Sequence, residues 1–194
     1  MAFENGNTLY SPAKYHVVGA RFGFIGRRVD SDDLVLDLGC AHGDITEYLA
    51  SISKFAVGID HNRLLIKHAM EKHRRENLKY ICGDAIDYVS ALTTTFDVLI
   101  LSHILEHLDE PVLFLKDYVG RFDRIFIEVP DNDQDEHSHL RVACGLEPLF
   151  NDADHIWEFR RDDMFLIFKE LGLTILERDY SYGVMRFWLQ SPRG

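Results

Sequence analysis

No apolar run in this chain approaches the ~20 residues that a membrane-spanning helix needs, so no membrane partner is expected. The opening Met1-Ala-Phe-Glu-Asn-Gly-Asn-Thr8 carries neither a basic leader nor an apolar segment, and no signal peptide is expected. Cysteine is scarce. Cys40, Cys82 and Cys144 form no C-x-x-C pair, and an odd, sparse set is not a disulfide framework. A reducing cytoplasm is the expected location, with Cys40 and Cys82 as small apolar fillers at strand ends. A basic stripe is also missing. Lys plus Arg number 21 against 32 Asp plus Glu, a net charge of -11, which speaks against a nucleic-acid partner. The basic pairs Arg27-Arg28, Arg74-Arg75 and Arg160-Arg161 stand apart and read as solvated helix faces. There is no repeat, low-complexity tract or linker, and 194 residues suit one compact α/β domain over 1–194.

What is present centres on Leu34-Val-Leu-Asp-Leu-Gly-Cys-Ala-His-Gly43. Leu34, Val35, Leu36 and Leu38 are apolar on both faces, as a strand covered by helices on each side requires. Gly39 and Gly43 permit a sharp turn and a close backbone approach to a ligand. The following stretch, Asp44 to Ala50, is an amphipathic helix whose first N–H groups are unpaired. Asp37 closes the strand, where a charge is out of place unless something uses it. The spacing Asp-x-Gly-x-x-x-Gly is not the dinucleotide fingerprint Gly-x-Gly-x-x-Gly. Asp37 repels phosphate and attracts an ammonium group, which suits a nucleoside with a cationic amino-acid tail.

The rest of the chain alternates. Ser11-Pro12 starts a leading helix that runs to Arg28 with Tyr15, Val18, Phe22 and Ile25 as its face; it is expected as a lid within residues 1–30. Strands follow at Phe55–Asp60, Leu78–Cys82, Phe96–Leu101 and Arg124–Val129. Helices intervene at Asn62–His73 (inner face Leu64, Leu65, His68, Ala69), Ala85–Leu92 and Pro111–Val119. Residues 131–157 break the rhythm with the acidic run Asp131–Glu136 and read as a substrate-side insertion. Arg161–Leu171 is a helix, and Thr174–Tyr180 with Val184–Gln190 form a closing hairpin. The expected fold class is α/β: a Rossmann-like, doubly wound, mostly parallel sheet of about seven strands, with an antiparallel C-terminal hairpin strand and helices on both faces.

Val35–Gly43 resembles motif I of class I S-adenosylmethionine (SAM)-dependent methyltransferases, and the chain is similar to the broad type 11 and type 23 group of small-molecule enzymes. The resemblance covers about residues 33–190 and is densest over 34–107. Ligands in open α/β sheets lie beyond the carboxyl ends of the strands. The resemblance implies SAM as cofactor, with Asp37, Gly39, Cys40 and Gly43 around its methionine part. Asp60 with His61 would meet the ribose, Asp84 and the Ala85 N–H the adenine, and Ser102 would sit beside them. Ser102-His-Ile-Leu-Glu-His-Leu-Asp-Glu-Pro111 resembles the family segment that faces the methyl group. His103 is the candidate general base, and His155, after Asp154, the second candidate at the substrate mouth. Glu106 and His107 are expected to be structural. Tyr10, Tyr15 and Trp157 are available as walls of an acceptor pocket.

No metal is assigned. Nevertheless His103-x-x-Glu106-His107 is similar to the Glu-x-x-Glu-His metal site of ubiquinone-pathway and small-RNA 2′-O-methyltransferases, with His137, His139 or His155 as further ligands. The expected reaction is methyl transfer to a hydroxyl, or second to an amine, of a small-molecule or sugar-like acceptor, by a monomer or homodimer. Two other readings stay open: a catalytically silent SAM-binding regulatory or partner subunit, and a nicotinamide-dependent oxidoreductase, which the missing third glycine disfavours.

Overall fold

Short apolar runs form the parallel strands, and each of these is followed by a helix that packs on the sheet. The computed structural model describes residues 12–134, 143–145 and 155–192. In chain order these give α1 (Pro12–Gly26), β1 (Leu34–Leu38), α2 (Asp44–Ile52), β2 (Phe55–Asp60), α3 (Arg63–Lys72) and β3 (Leu78–Cys82). Next come α4 (Ala85–Ser90), β4 (Val98–Ser102), α5 (Pro111–Tyr118), β5 (Arg124–Pro130), α6 (Arg161–Glu170), β6 (Thr174–Asp179) and β7 (Val184–Gln190). The strands form one seven-stranded sheet in the order β3-β2-β1-β4-β5-β7-β6. β1 to β5 are mutually parallel, and β7 runs antiparallel between β5 and β6. This is the doubly wound sheet with a terminal hairpin that the sequence pattern predicts. Strand order reverses between β1 and β4, so a crevice opens beyond their carboxyl ends.

Alternation along the central strands builds a core on each face. Leu36, Leu38, Leu99, Leu101, Ile125 and Ile127 pack on one side with α4, α5 and α6. Val35, Val98, Ile100 and Phe126 pack on the other against Phe24, Ile25 and Leu49. No helix among the described residues is long and apolar enough to cross a membrane.

Several expectations need correction. On α3 the buried residues are Ile66 and Ala69, three apart, while Leu64 is 77% exposed and His68 is exposed. Asn62 Oδ1 caps the Leu64 and Leu65 N–H groups at 3.0 and 3.4 Å, which fixes the first turn so that Ile66 points inward. Cys82 is exposed, not a buried filler. The leading helix stops at Gly26, where a Cβ would lie 2.0 Å from Tyr48 Oη, so this glycine serves close packing of α1 on α2. Arg28 stacks over Phe24 at 4.2 Å and pairs with Glu177, and Arg161 pairs with buried Asp131; neither is a solvated face residue.

Candidate active site

The turn after β1 is built from left-handed residues: Gly39 (φ 68°), Ala41 (φ 46°) and Gly43 (φ 79°). Gly43 opens α2, its carbonyl accepting from Glu47 N at 2.9 Å and from Tyr80 Oη at 2.8 Å. A Cβ on Gly43 would sit 2.4 Å from Tyr80 Oη and 2.6 Å from its ring. Gly43→Ala combines that overlap with left-handed strain and should lower stability by about 2–3 kcal/mol in a urea titration. A loss under about 0.5 kcal/mol would show that Tyr80 moves aside freely.

Three acids lie at the carboxyl ends of neighbouring strands. Asp37, on β1, is 1% exposed and accepts a hydrogen bond from Thr46 Oγ1 at 2.6 Å. Burial pushes its carboxyl up to about 7, although Thr46 and the Arg21 charge pull the other way. Asp60 ends β2. Its Oδ2 accepts from Ala41 N at 2.9 Å and its Oδ1 from Asn62 N at 2.8 Å, tying the glycine turn to the start of α3. Asp84, after β3, is exposed and caps α4 through Ile86 N at 2.8 Å and Asp87 N at 3.0 Å. Ala85 is the first residue of that helix. His61 is 88% exposed beside Asp60. Cys40 is buried between the turn and β2, and burial pushes its thiol far up, so it is a neutral filler.

β4 ends in Ser102 and His103, and here the structure revises the chemistry. His103 has φ 55°, in the left-handed region that few non-glycine residues adopt, and its N–H donates to Glu128 O at 2.9 Å. Its Nδ1 lies 2.9 Å from Glu106 Oε1 and its Nε2 3.1 Å from Glu128 Oε1. Burial alone lowers the imidazole pKa, but the hydrogen bonds and charges of the two carboxylates outweigh it and hold the ring at about 9. A general base must be neutral before it accepts a proton. His103 is an imidazolium near neutral pH, so the base role expected for it does not fit its surroundings.

Glu128 is the hub that sequence reasoning missed. It is fully buried on β5. Oε1 accepts from Ser102 Oγ at 3.2 Å and from Arg21 of α1, while Oε2 accepts from Arg186 Nε at 2.5 Å. Burial would raise its carboxyl, but His103 and Arg21 hold it at about 2. Arg186, also fully buried, reaches Asp179 Oδ2 at 2.7 Å. Arg186 is the one charge of β7 and Glu128 the one charge in the interior of β5, the same signal that singled out Asp37.

A second cluster lies beside this one. One ligand atom each from Glu106, His107 and His155 falls within 4.8 Å of the others. Glu106 is fully buried, and its Oε2 has no hydrogen-bond partner. The His107 and His155 rings meet edge to face at 4.8 Å. Ile156 N and Trp157 N donate to Glu106 O at 2.8 and 3.1 Å, and Trp157 Nε1 donates to Leu108 O at 2.9 Å. These bonds deliver His155 to Glu106. One carboxylate and two imidazoles this close are ligand types that a divalent cation takes. Tyr10, His137, His139, Asp154 and the side chain of Tyr15 lie outside the described residues. Of the acidic run, Asp131 is buried and grips Arg161 Nη2 at 2.6 Å, and Asp133 caps Arg161 N at 2.8 Å. These two acids are structural rather than a charged mouth.

A family model for a methyltransferase domain matches residues 36–120, which contain the glycine turn, Asp60, Asp84, His103 and Glu106. The ubiquinone biosynthesis O-methyltransferase of Parvibaculum lavamentivorans is 34% identical over 102 residues, covering 50% of this chain and 40% of that protein. The enzyme of that name from Coxiella burnetii is 31% identical over 122 residues, covering 60% and 51%. The family model and these relatives support a class I SAM-dependent methyltransferase. It spans about half or less of these two relatives' own length. The methyltransferase fold is also that of magnesium protoporphyrin IX methyltransferase from Synechocystis, solved with S-adenosylhomocysteine bound. That structure superimposes with TM-score 0.71 at 16% identity, over 92% of this chain and 84% of the other.

Proposed function

We propose that this methyltransferase moves the methyl group of SAM to a hydroxyl oxygen of a small-molecule acceptor, with an amine as the second choice. The carrying observation is the row Asp37, Asp60, Asp84 at three adjacent strand ends beside a left-handed glycine turn. In this reading Gly39, Cys40 and Gly43 line the methionine part and Asp37 attracts its ammonium. Arg21, whose charge acts on Asp37, meets its carboxylate. Asp60 uses each oxygen once for backbone, and a carboxylate offers about four acceptor sites, so the ribose hydroxyls fit without undoing the turn. His61 flanks the ribose, Asp84 and the Ala85 N–H take the adenine, and Ser102 borders the methyl side.

The sulfonium supplies the electrophile, and the protein supplies proximity, worth up to about 7–11 kcal/mol in favourable cases. The acceptor oxygen takes the methyl group as its bond to sulfur breaks, leaving S-adenosylhomocysteine, and the hydroxyl proton passes to solvent water, with His103 fixed beside it between Glu106 and Glu128. Glu106, His107 and His155 would hold a divalent cation, and such an ion would make a bound hydroxyl more acidic. The names of the relatives support oxygen as the acceptor. Free thiols at Cys40, Cys82 and Cys144 support a cytoplasmic setting.

The test is transfer of labelled methyl from SAM to a panel of phenols, catechols and alkyl alcohols, run beside calorimetry with S-adenosylhomocysteine. Labelled ether product is expected. Binding with no product from any acceptor would favour the non-catalytic SAM-binding reading. Asp60→Ala should weaken binding by about 1–3 kcal/mol, the scale of a lost buried polar partner; unchanged affinity would remove Asp60 from the ribose site.

A further inference from the structure

We propose that Tyr80 is a positioning residue for the cofactor: its hydroxyl locks the far end of the glycine turn in the shape that receives the methionine part of the nucleoside. The inference rests on the reading of that turn as the SAM site, and it adds a residue that touches no ligand there. Tyr80 is buried on β3. The sheet register sets it opposite Gly58 on β2, and Gly58 opposite Asp37 on β1. Residues in one such row share a face of the sheet, so Tyr80 and Asp37 stand on the same side, two strands apart. Gly58 between them leaves room that a side chain would fill. A Cβ there would lie 2.7 Å from Thr46 Oγ1, the donor to Asp37, and 2.9 Å from Cys40 Sγ. The row is a floor under the turn.

Three bonds tie the turn to the neighbouring strands. Cys40 N donates to Ile59 O at 3.0 Å, Ala41 N to Asp60 Oδ2 at 2.9 Å, and Tyr80 Oη to Gly43 O at 2.8 Å. The first two hold its entry against β2. The third holds its exit, where Gly43 (φ 79°) opens α2. Left-handed residues set this close together form a shape that persists only where the surroundings over-determine it. The donor is secure. Burial first, then the neighbouring Cys40, Asp37, Glu47 and Asp44, push the Tyr80 phenol far up, so it keeps its proton. Without the Tyr80 bond, Gly43 O keeps Glu47 N alone, and the turn reaches other shapes. The ligand then meets the receiving shape in a smaller share of molecules, and its apparent affinity falls by that share.

The experiment compares the whole chain with Tyr80→Phe, which keeps the ring and its packing and removes one oxygen. Melting curves set a temperature at which every variant is folded, and S-adenosylhomocysteine is titrated there by calorimetry. Its Kd should rise roughly 5–10-fold, the scale of one hydrogen bond. Amide exchange over residues 39–47 should quicken in the free variant and return to the parent's rate at saturating ligand. Ser191→Ala is the control. It removes another buried hydroxyl-to-carbonyl bond, from Ser191 Oγ to Val119 O at 2.7 Å, near the amino end of β5 where Ser191 N donates to Asp123 O. It should lower stability and leave the affinity unchanged. Unchanged affinity in Tyr80→Phe, or an equal loss in Ser191→Ala, overturns the proposal and marks Tyr80 as packing alone. Those outcomes leave the nucleoside reading standing, whereas no heat from the folded parent defeats that reading and this inference with it.

Discussion

Glu128→Ala is expected to lower the stability of this fold by about 3–5 kcal/mol, the cost of removing one partner from a buried ion pair. The reason is the number of donors that converge on it. Arg186 Nε, at 2.5 Å, loses its acceptor inside the sheet, and Arg21, His103 and Ser102 lose theirs at the same time. Arg186 keeps Asp179, but it is fully buried and no water replaces the missing carboxylate. Urea unfolding of the two proteins at pH 7 measures the difference. The pair Glu128→Met with Arg186→Leu should recover much of the loss, because replacing both members of a buried pair by apolar groups is often close to neutral. A single-variant loss under about 1 kcal/mol would mean that the network behaves like a solvated surface pair. Activity should fall even in the recovered double variant, because His103 then lacks one of the two carboxylates that fix it.

Asp37 should give the protein a pH dependence of its own. Its carboxyl is pushed from an ordinary 3.8 up to about 7, chiefly by burial. Below pH 4 both folded and unfolded chains carry the proton, and this residue's contribution is fully present. Between pH 4 and 7 the unfolded chain ionises while the folded one stays protonated, so stability falls as pH rises. At ~1.4 kcal/mol per pH unit across that gap, the loss reaches about 4 kcal/mol near pH 7. Asp37→Asn keeps a polar partner for Thr46 and cannot ionise. The variant should lack this slope, so its stability relative to the parent rises between pH 4 and 7. Equal slopes in denaturant titrations at several pH values would show that Asp37 ionises freely. The same charge is what an ammonium ligand stabilises, so S-adenosylhomocysteine affinity should increase from pH 5.5 to 7.5 in the parent and stay flatter in the variant.

The fold was readable because its signals are local. Apolar runs of five to seven residues, a proline at the start of α5 and glycines at turns set the elements, and a parallel sheet follows from their alternation. The left-handed turn was readable from Gly39 and Gly43. What escaped depends on partners distant in sequence. Glu128 and Arg186 lie 58 residues apart, and only the β5–β7 register places them opposite one another. Had the reasoning applied to Asp37 been extended to every charge inside an apolar strand, it would have found both. The charge state of His103 was hidden for the same reason, since it is set by Glu128 as much as by nearby Glu106. The α3 face was misjudged because a cap at Asn62, not the apolar count, fixes the helix rotation. Asp131 looked like part of a charged loop until Arg161, 30 residues on, proved to be its counter-ion.

One titration bears most directly on the whole account: calorimetry of S-adenosylhomocysteine into the purified, folded chain near pH 7.5. A saturable heat with one nucleoside per chain, weakened by Asp60→Ala, is the expected result. Flat heats from protein whose melting curve shows it folded would contradict the assignment of the β1–β3 rim as a nucleoside site.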